Sequence, residues 1–235
     1  IYPERNIMLV EKSKRIMDLA KELETDVVTT HIGVVPTDPN HDRYKIMAEA
    51  CFELSRYADS IGSHFAIETG PETSAVLKNF LDGLGSRGVS VNLDPANLVM
   101  VTGDDPVQAV YNLRDYIVHT HAKDGNRLVI GNPEYIYGVT HPIPVECQGV
   151  QYFEEVPLGT GSVDFPNYLK ALEDIGYRGR MIGGAKVSEK HVNFIVNEDC
   201  AKASDYLELV QEIQEKVRSR FGIDLHMEVE KFNWD

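Results

Sequence analysis

The chain has 235 residues, 43% of them hydrophobic, and a formal net charge of -14. That length suits one large α/β domain, or one domain with a small appendage, and the apolar content is too high for a disordered chain. The acidity disfavours nucleic acid and anionic membrane surfaces as partners, because both are bound through clustered Lys and Arg.

Residues 4–23 place Ile16, Leu19, Ala20 and Leu23 on one face at helical spacing. "DVVTTHIG" follows, a β-branched run that reads as a buried strand ending at His31. "RYKIMAEACFELSRYADSIG" is helical, with Gly62 placed to stop it. "HFAIETG" predicts a strand ending in Glu68, "SAVLKNFLDGLG" a helix, and "VSVNLDPANL" a strand ending in Asp94. "PVQAVYNLRD" predicts a helix with Pro106 in its first turn, and "YIVHTHAKD" a strand ending in His121 and Asp124. Residues 125–153 form a long insert rich in Gly, Pro and Tyr, expected to be a functional loop over a site. "FEEVPLGTG" closes it, with Glu154 and Glu155 opening a strand, and "PNYLKALEDIG" is another helix. In the tail, "KHVNFIVN" predicts a strand. A helix follows, capped by Ser204 or Asp205, with Leu207, Val210, Ile213, Val217 and Phe221 as its apolar stripe. Gly222 ends it, and "DLHMEVEKF" predicts a last strand.

Cys51, Cys147 and Cys200 stand far apart without CxxC spacing, which reads as reduced thiols in a cytoplasmic protein. There is no bilayer-spanning apolar run and no signal peptide, and the Ile start looks like a cut.

Strand–helix alternation argues for a parallel sheet covered by helices. His31, Glu68, Asp94 and His121 each fall at the C-terminal end of a successive strand, where barrel sites are assembled. No Gly-rich phosphate fingerprint follows the first strand, so a barrel is favoured over an open doubly wound sheet. The expected fold is (βα)8-barrel-like: an incomplete TIM barrel of five βα units over 1–180, completed or extended by a β-α-β segment over 181–235. Glu68, Asp94 and His121 offer two carboxylates and an imidazole, a donor set suited to Mn²⁺, Mg²⁺, Co²⁺ or Zn²⁺. Singly, each reads as a solvated strand end; as a set, they point to a metal. His119 shares a face with His121 and is expected to be packed or hydrogen-bonded deeper.

Residues 4–180 resemble the sugar phosphate isomerase/epimerase family of xylose isomerase-like barrels. The resemblance is carried by "THIG" (30–33), "IETGPET" (67–73), "VNLDPANL" (91–98), "VHTHAKDG" (118–125) and "VPLGTGSVDFPNYLKAL" (156–172). It implies Glu68, Asp94 and His121 as metal ligands, with Asn97 beside the metal. It also implies Arg127, Lys123 and Asp124 around a bound sugar or sugar phosphate. His31, at its own strand end, reads equally as a group touching substrate or metal and as a purely structural residue. The implied reaction moves a proton between adjacent sugar carbons, with Glu68 as one base. The family's second base is a glutamate on the last strand, in a segment that should follow "GYRG" (176–179) and does not. Glu155 and Glu228 are the candidate substitutes. Two early strands of the family pattern are also absent.

Residues 180–235 instead resemble the C-terminal part of UDP-N-acetylenolpyruvoylglucosamine reductase. The matching stretches are "RMIGGAKVSEKHVNFIVN" and "AKASDYLELVQEIQEKVRSRFGIDLHMEVE". In that family the residue matching Glu228 helps protonate substrate. The flavin-binding part is missing, so no FAD and no reductase activity are expected. The combined expectation is a chimera, engineered or selected, joined near Arg178–Arg180. It keeps part of a metal site, if the metal is not lost, and has weak or no catalysis. A working metal-dependent isomerase and a purely structural product are the alternatives. The tail could cover an open sheet edge in cis, or by strand exchange in a homodimer.

Overall fold

The computed structural model describes residues 3–23, 25–139, 142–177, 181–182, 185–187, 195–197 and 200–227. The chain divides into two compact units, Ile1–Ile175 and Gly176–Asp235.

The first unit begins with α1 (Pro3–Glu22), β1 (Val27–Thr30) and α2 (Asp42–Ile61). His41 caps α2 by accepting the Arg43 N–H at Nδ1, 3.1 Å away. Gly62 stops it in a left-handed conformation, φ 61°. β2 (His64–Glu68) and α3 (Ser74–Asp82) follow, with Thr73 capping α3 through its hydroxyl. Next come β3 (Val89–Leu93), a three-residue turn α4 (Pro95–Asn97), a π-helical turn over Leu98–Thr102, α5 (Pro106–Leu113) and β4 (Ile117–Thr120).

β1 to β4 form one parallel sheet in the order β1-β2-β3-β4. Each strand neighbours its predecessor, with no reversal of the kind that defines a doubly wound sheet. The order is that of a singly wound barrel wall, as the strand-end pattern led us to expect. β3 is buried at all five positions. Val89, Val91 and Leu93 are buried, as are Ile67 on β2, Leu77, Phe80 and Leu81 on α3, and Leu113 on α5. Its two polar residues are satisfied laterally. Ser90 pairs with His64 Nδ1 at 3.0 Å, and Asn92 reaches toward the neighbouring strand ends.

The insert differs from a plain loop. β5 (Asp124–Arg127) pairs antiparallel with β6 (Phe153–Val156), from Asp124↔Val156 to Arg127↔Phe153. The "FEEV" segment therefore forms half of a two-stranded ribbon rather than a fifth parallel strand. Between the legs lie α6 (Pro133–Ile136) and a 3₁₀ turn at Val145–Cys147. α7 (Phe165–Asp174) follows the ribbon.

Asp124 fastens this ribbon. Its Oδ1 accepts the N–H groups of Gly125 (2.9 Å) and Val163 (3.1 Å), and its Oδ2 those of Gly159 and Gly161 (both 2.9 Å). Burial works against its charge, but the four donors outweigh that and hold the carboxyl below the usual range. A side chain at Gly161 could not approach this way, since a Cβ there would stand 2.3 Å from Asp124 Oδ1.

The second unit contains β7 (Met181–Ile182), β8 (Ala185–Val187), β9 (Ile195–Asn197) and α8 (Ala203–Phe221). β7-β8-β9 form an antiparallel sheet, against which α8 packs through β7 and β8. α8 starts at Ala203 with Lys202 as its cap, two residues earlier than a Ser204 cap would place it. Asp205 Oδ2 reaches back to accept the Lys202 N–H at 2.9 Å. Gly222 ends the helix at φ 67°. Residues 222–227 carry no strand, and the remainder of the expected "DLHMEVEKF" strand lies outside the described residues, as do residues 190–194 of "KHVNFIVN". Among the described residues the tail is therefore three short strands and a helix, where strand–helix–strand was expected.

Asp124→Ala should cost about 3–5 kcal/mol, because it strands four backbone donors. The lowered carboxyl sets the pH signature. Its stabilisation is present above the unfolded carboxyl range, near pH 4, and is lost as pH falls through the lower folded value. Urea unfolding between pH 2 and 6 should show this loss in the wild type and a flatter profile in Asp124→Asn.

Candidate metal centre

The C-terminal ends of β2, β3 and β4 bring Glu68, Asp94 and His121 together. Each offers one ligand atom, and these atoms all lie within 4.8 Å of one another. Parallel pairing explains the convergence. Glu68 is in register with Asn92, two residues before Asp94, and His121 donates its backbone N–H to Leu93 at 2.9 Å. The chain then turns away immediately. Asp94 caps α4, accepting the Asn97 N–H at Oδ1 (2.9 Å), and its backbone is clasped by Thr69 Oγ1 in both directions. The following π-helical turn widens the backbone where it leaves the site.

Asp94 is 0% exposed. Its Oδ2 faces His121 Nδ1 at 3.2 Å and Lys123 Nζ at 3.4 Å. Glu68 Oε1 lies 3.6 Å from His121 Nδ1 and accepts from Asn97 Nδ2 at 3.0 Å. Glu68 Oε2 lies 3.4 Å from both His31 Nε2 and Asn92 Nδ2. Lys123 Nζ donates to Asn97 Oδ1 at 2.8 Å. An ammonium can only donate and a carboxylate only accept, so Asn97 must present its oxygen to Lys123 and its nitrogen to Glu68. Lys123 also reaches Glu155 Oε1, on β6, at 2.9 Å. Burial alone would lower the Lys123 pKa; the bond to Glu155 and the charge of Asp94 more than reverse this and leave it raised.

A relay backs the ligands. His119 Nδ1 bonds Asn92 Oδ1 at 2.9 Å, and Asn92 Nδ2 lies 3.2 Å from His121 Nε2. His119 is held toward neutrality, first by burial and then by His121. Its ring meets His121 edge-to-face, with centroids 5.8 Å apart.

The structure thus gathers Glu68, Asp94, His121, Asn97, Lys123, His31 and, through Lys123, Glu155. It does not bring Asp124 into this bonding network; that carboxylate holds the ribbon. The Arg127 guanidinium packs on Gly103, where a Cβ would stand 2.1 Å from its Nη2. Glu228 lies outside the described residues.

Three residues of the surroundings had not been singled out. Asn92 could have been found, since it lies two residues before Asp94 and so shares its face of the strand. Tyr137 gave no signal in the irregular insert. Its hydroxyl lies 3.3 Å from where a Cβ on Gly70 would stand, and that same Cβ would lie 2.6 Å from Asn97 Cβ. Burial, then the charges of Glu72, Glu68 and Asp94, push the Tyr137 phenol up to about 12. Glu72 was noted only as part of a motif. It is 6% exposed, accepts the Val35 N–H at 3.1 Å, and has no hydrogen-bond partner at Oε1 among the described residues. Burial pushes its carboxyl up to about 8 against that bond and the charge of Arg43.

The donor set fits a divalent cation. Two carboxylates and an imidazole converge, and three protein ligands leave positions open.

Residues 8–213 match the family model described as xylose isomerase-like TIM barrel. A xylose isomerase domain protein from Planctomyces limnophilus superposes with a TM-score of 0.59 at 23% identity, over 91% of this chain and 66% of that one. A D-tagatose 3-epimerase-like protein gives 0.53 at 21% identity, over 91% and 71%. At these identities the likeness is one of fold. The curated relatives are of another kind. UDP-N-acetylenolpyruvoylglucosamine reductase of Clostridium botulinum (strain 657 / Type Ba4) is 52% identical over 60 residues, 26% of this chain and 20% of the relative. The Bacillus licheniformis (strain ATCC 14580) enzyme is 40% identical over 91 residues, 39% and 27%. The chain spans less than a third of the length of either.

Glu72 makes a pH prediction. Its folded pKa lies above the unfolded value near 4.3, so folding favours the protonated form. Stability should fall as pH rises from about 4.5 to 8 and level off beyond. Glu72→Gln should remove that slope, gaining on the order of 2 kcal/mol over the wild type at pH 8 and little at pH 4.5, as read by thermal unfolding.

Proposed function

Because the chain belongs to the xylose isomerase-like TIM barrel family, we propose that Glu68, Asp94 and His121 form a divalent-cation centre of the sugar isomerase/epimerase type, with little or no turnover. The observation that carries this reading is the convergence of their ligand atoms within 4.8 Å, from three successive strand ends. A bound divalent ion would supply Lewis-acid polarisation of a substrate oxygen.

The chain's own groups do the rest. Glu68 is the carboxylate placed to take a proton, and Asn97, Asn92 and His31 hold it in position. Lys123 and Asn97 offer a donor and an amide to sugar oxygens at the mouth. Moving a proton between adjacent carbons needs a group to return it. Of the two candidates Glu155 is the one among the described residues, but its carboxylate is held by Lys123 and faces solvent, 61% exposed. One base without a competent second accounts for weak catalysis.

We further propose that residues 1–180 are a partial barrel and residues 181–235 a reductase-derived segment, joined as a chimera. Two unrelated likenesses in one chain support this, one of them strong but short. The barrel part carries the site; the reductase segment brings no flavin chemistry with it. No helix among the described residues is long and apolar enough to cross a membrane. The cytoplasmic setting we propose rests on the scattered spacing of Cys51, Cys147 and Cys200, without CxxC.

Calorimetry with Mn²⁺, Co²⁺ and Zn²⁺ tests the centre. The wild type should bind, and Glu68→Gln or Asp94→Asn should weaken binding at least 10-fold while leaving the circular dichroism unchanged. Absence of binding by the folded wild type would refute the cation centre. In D₂O, a ketose panel followed by NMR should show no more than slow C–H exchange with the loaded protein; rapid exchange would show that a second base is at work.

A further inference from the structure

Lys123 stands between two seats. Its Nζ lies 3.4 Å from Asp94 Oδ2 and 2.9 Å from Glu155 Oε1, and it donates to Asn97 Oδ1 at 2.8 Å. Asp94 Oδ1 is already engaged by the Asn97 N–H. Oδ2, which faces the other candidate ligand His121 at 3.2 Å from its Nδ1, is the oxygen turned toward the centre, and it is also the one the ammonium faces. Asp94 is fully buried, so a charge partner there counts for more than at the surface.

We propose that Lys123 is a built-in competitor for the cation centre: its ammonium neutralises Asp94 when no ion is bound and withdraws to Glu155 when a divalent ion enters. This rests on reading Glu68, Asp94 and His121 as a cation centre. Charge balance supports it. Glu68, Asp94 and Glu155 are three carboxylates against one ammonium, and the two negative charges left over match one divalent ion. After exchange, Lys123 and Glu155 neutralise each other on the ribbon, and Glu68 and Asp94 neutralise the ion. Geometry supports it too. Both seats are within hydrogen-bond or ion-pair range of one Nζ, so a short swing about the terminal bonds of the lysine suffices. The Lys123 side chain is 26% exposed, which leaves it room toward Glu155 on the solvent side. Asn97 then registers the change, because the same amide that holds Lys123 also donates to Glu68.

Calorimetric titration of the full chain with Mn²⁺ tests this in wild type, Lys123→Met, Lys123→Gln and Glu155→Gln. Removing the competitor should tighten Mn²⁺ binding about 10-fold or more in both lysine variants. Glu155→Gln, which removes the retreat, should weaken it several-fold. A wild type that binds while the lysine variants bind equally or more weakly overturns the competitor role and leaves the cation centre standing. Binding by neither wild type nor lysine variants overturns both. A measurement on the unmodified protein guards against misfolding of the variants. Acetic anhydride labelling read by mass spectrometry should modify Lys123 faster with Mn²⁺ than without; an unchanged or slower rate overturns the proposal.

Discussion

The centre depends on a buried carboxylate. Asp94 ends a strand that is buried at every position, and its own side chain has no exposed surface. A carboxylate in such a place must be surrounded by donors or cations, because burial strips it of water. The chain supplies them from three directions: the Asn97 N–H from the turn it caps, the His121 imidazole from the next strand, and the Lys123 ammonium from beyond that strand. Each of these groups is also bound to something else. Asn97 and His121 both touch Glu68, and Lys123 touches the ribbon through Glu155. The strand ends, the α4 turn and the insert are thereby tied to one oxygen pair.

The insert is tied down a second time, by Asp124, whose two oxygens collect four backbone N–H groups. Lys123 and Asp124 are adjacent in sequence but act in opposite senses. The first couples the ribbon to the centre through a movable side chain. The second fixes the ribbon to the backbone of 159–163 and leaves it little freedom.

Much of this was legible in the sequence. Four β-branched or apolar runs separated by helical periods gave the parallel sheet, and a polar residue at the end of each of the last three gave Glu68, Asp94 and His121. Those signals are local: strand period, helix caps and strand ends are written within a few residues of where they act. What was not legible depends on pairing between distant segments. Nothing in "FEEV" says that it pairs antiparallel with "DGNR" rather than extending the parallel sheet. Asp124 looked like a mouth residue because it follows the strand that carries His121, and only the return of 159–163 shows what its oxygens hold. Tyr137 reaches the surroundings of Gly70 from an insert with no periodicity to read. In the tail, helix α8 was legible from its stripe and its Gly222 stop, and β9 falls within the expected "KHVNFIVN" strand, while β7 and β8 were not legible, since two or three residues carry too little period to register.

Gly70 shows how little slack the arrangement has. Its φ of 143° is hostile to any L side chain, and even a lone Cβ would run into Asn97 at 2.6 Å. Every codon change at this position that alters the residue adds at least that carbon. Random drift can therefore explore the exposed rim of this molecule freely, yet it meets a wall one methyl group thick beneath the amide that joins Glu68 to Lys123.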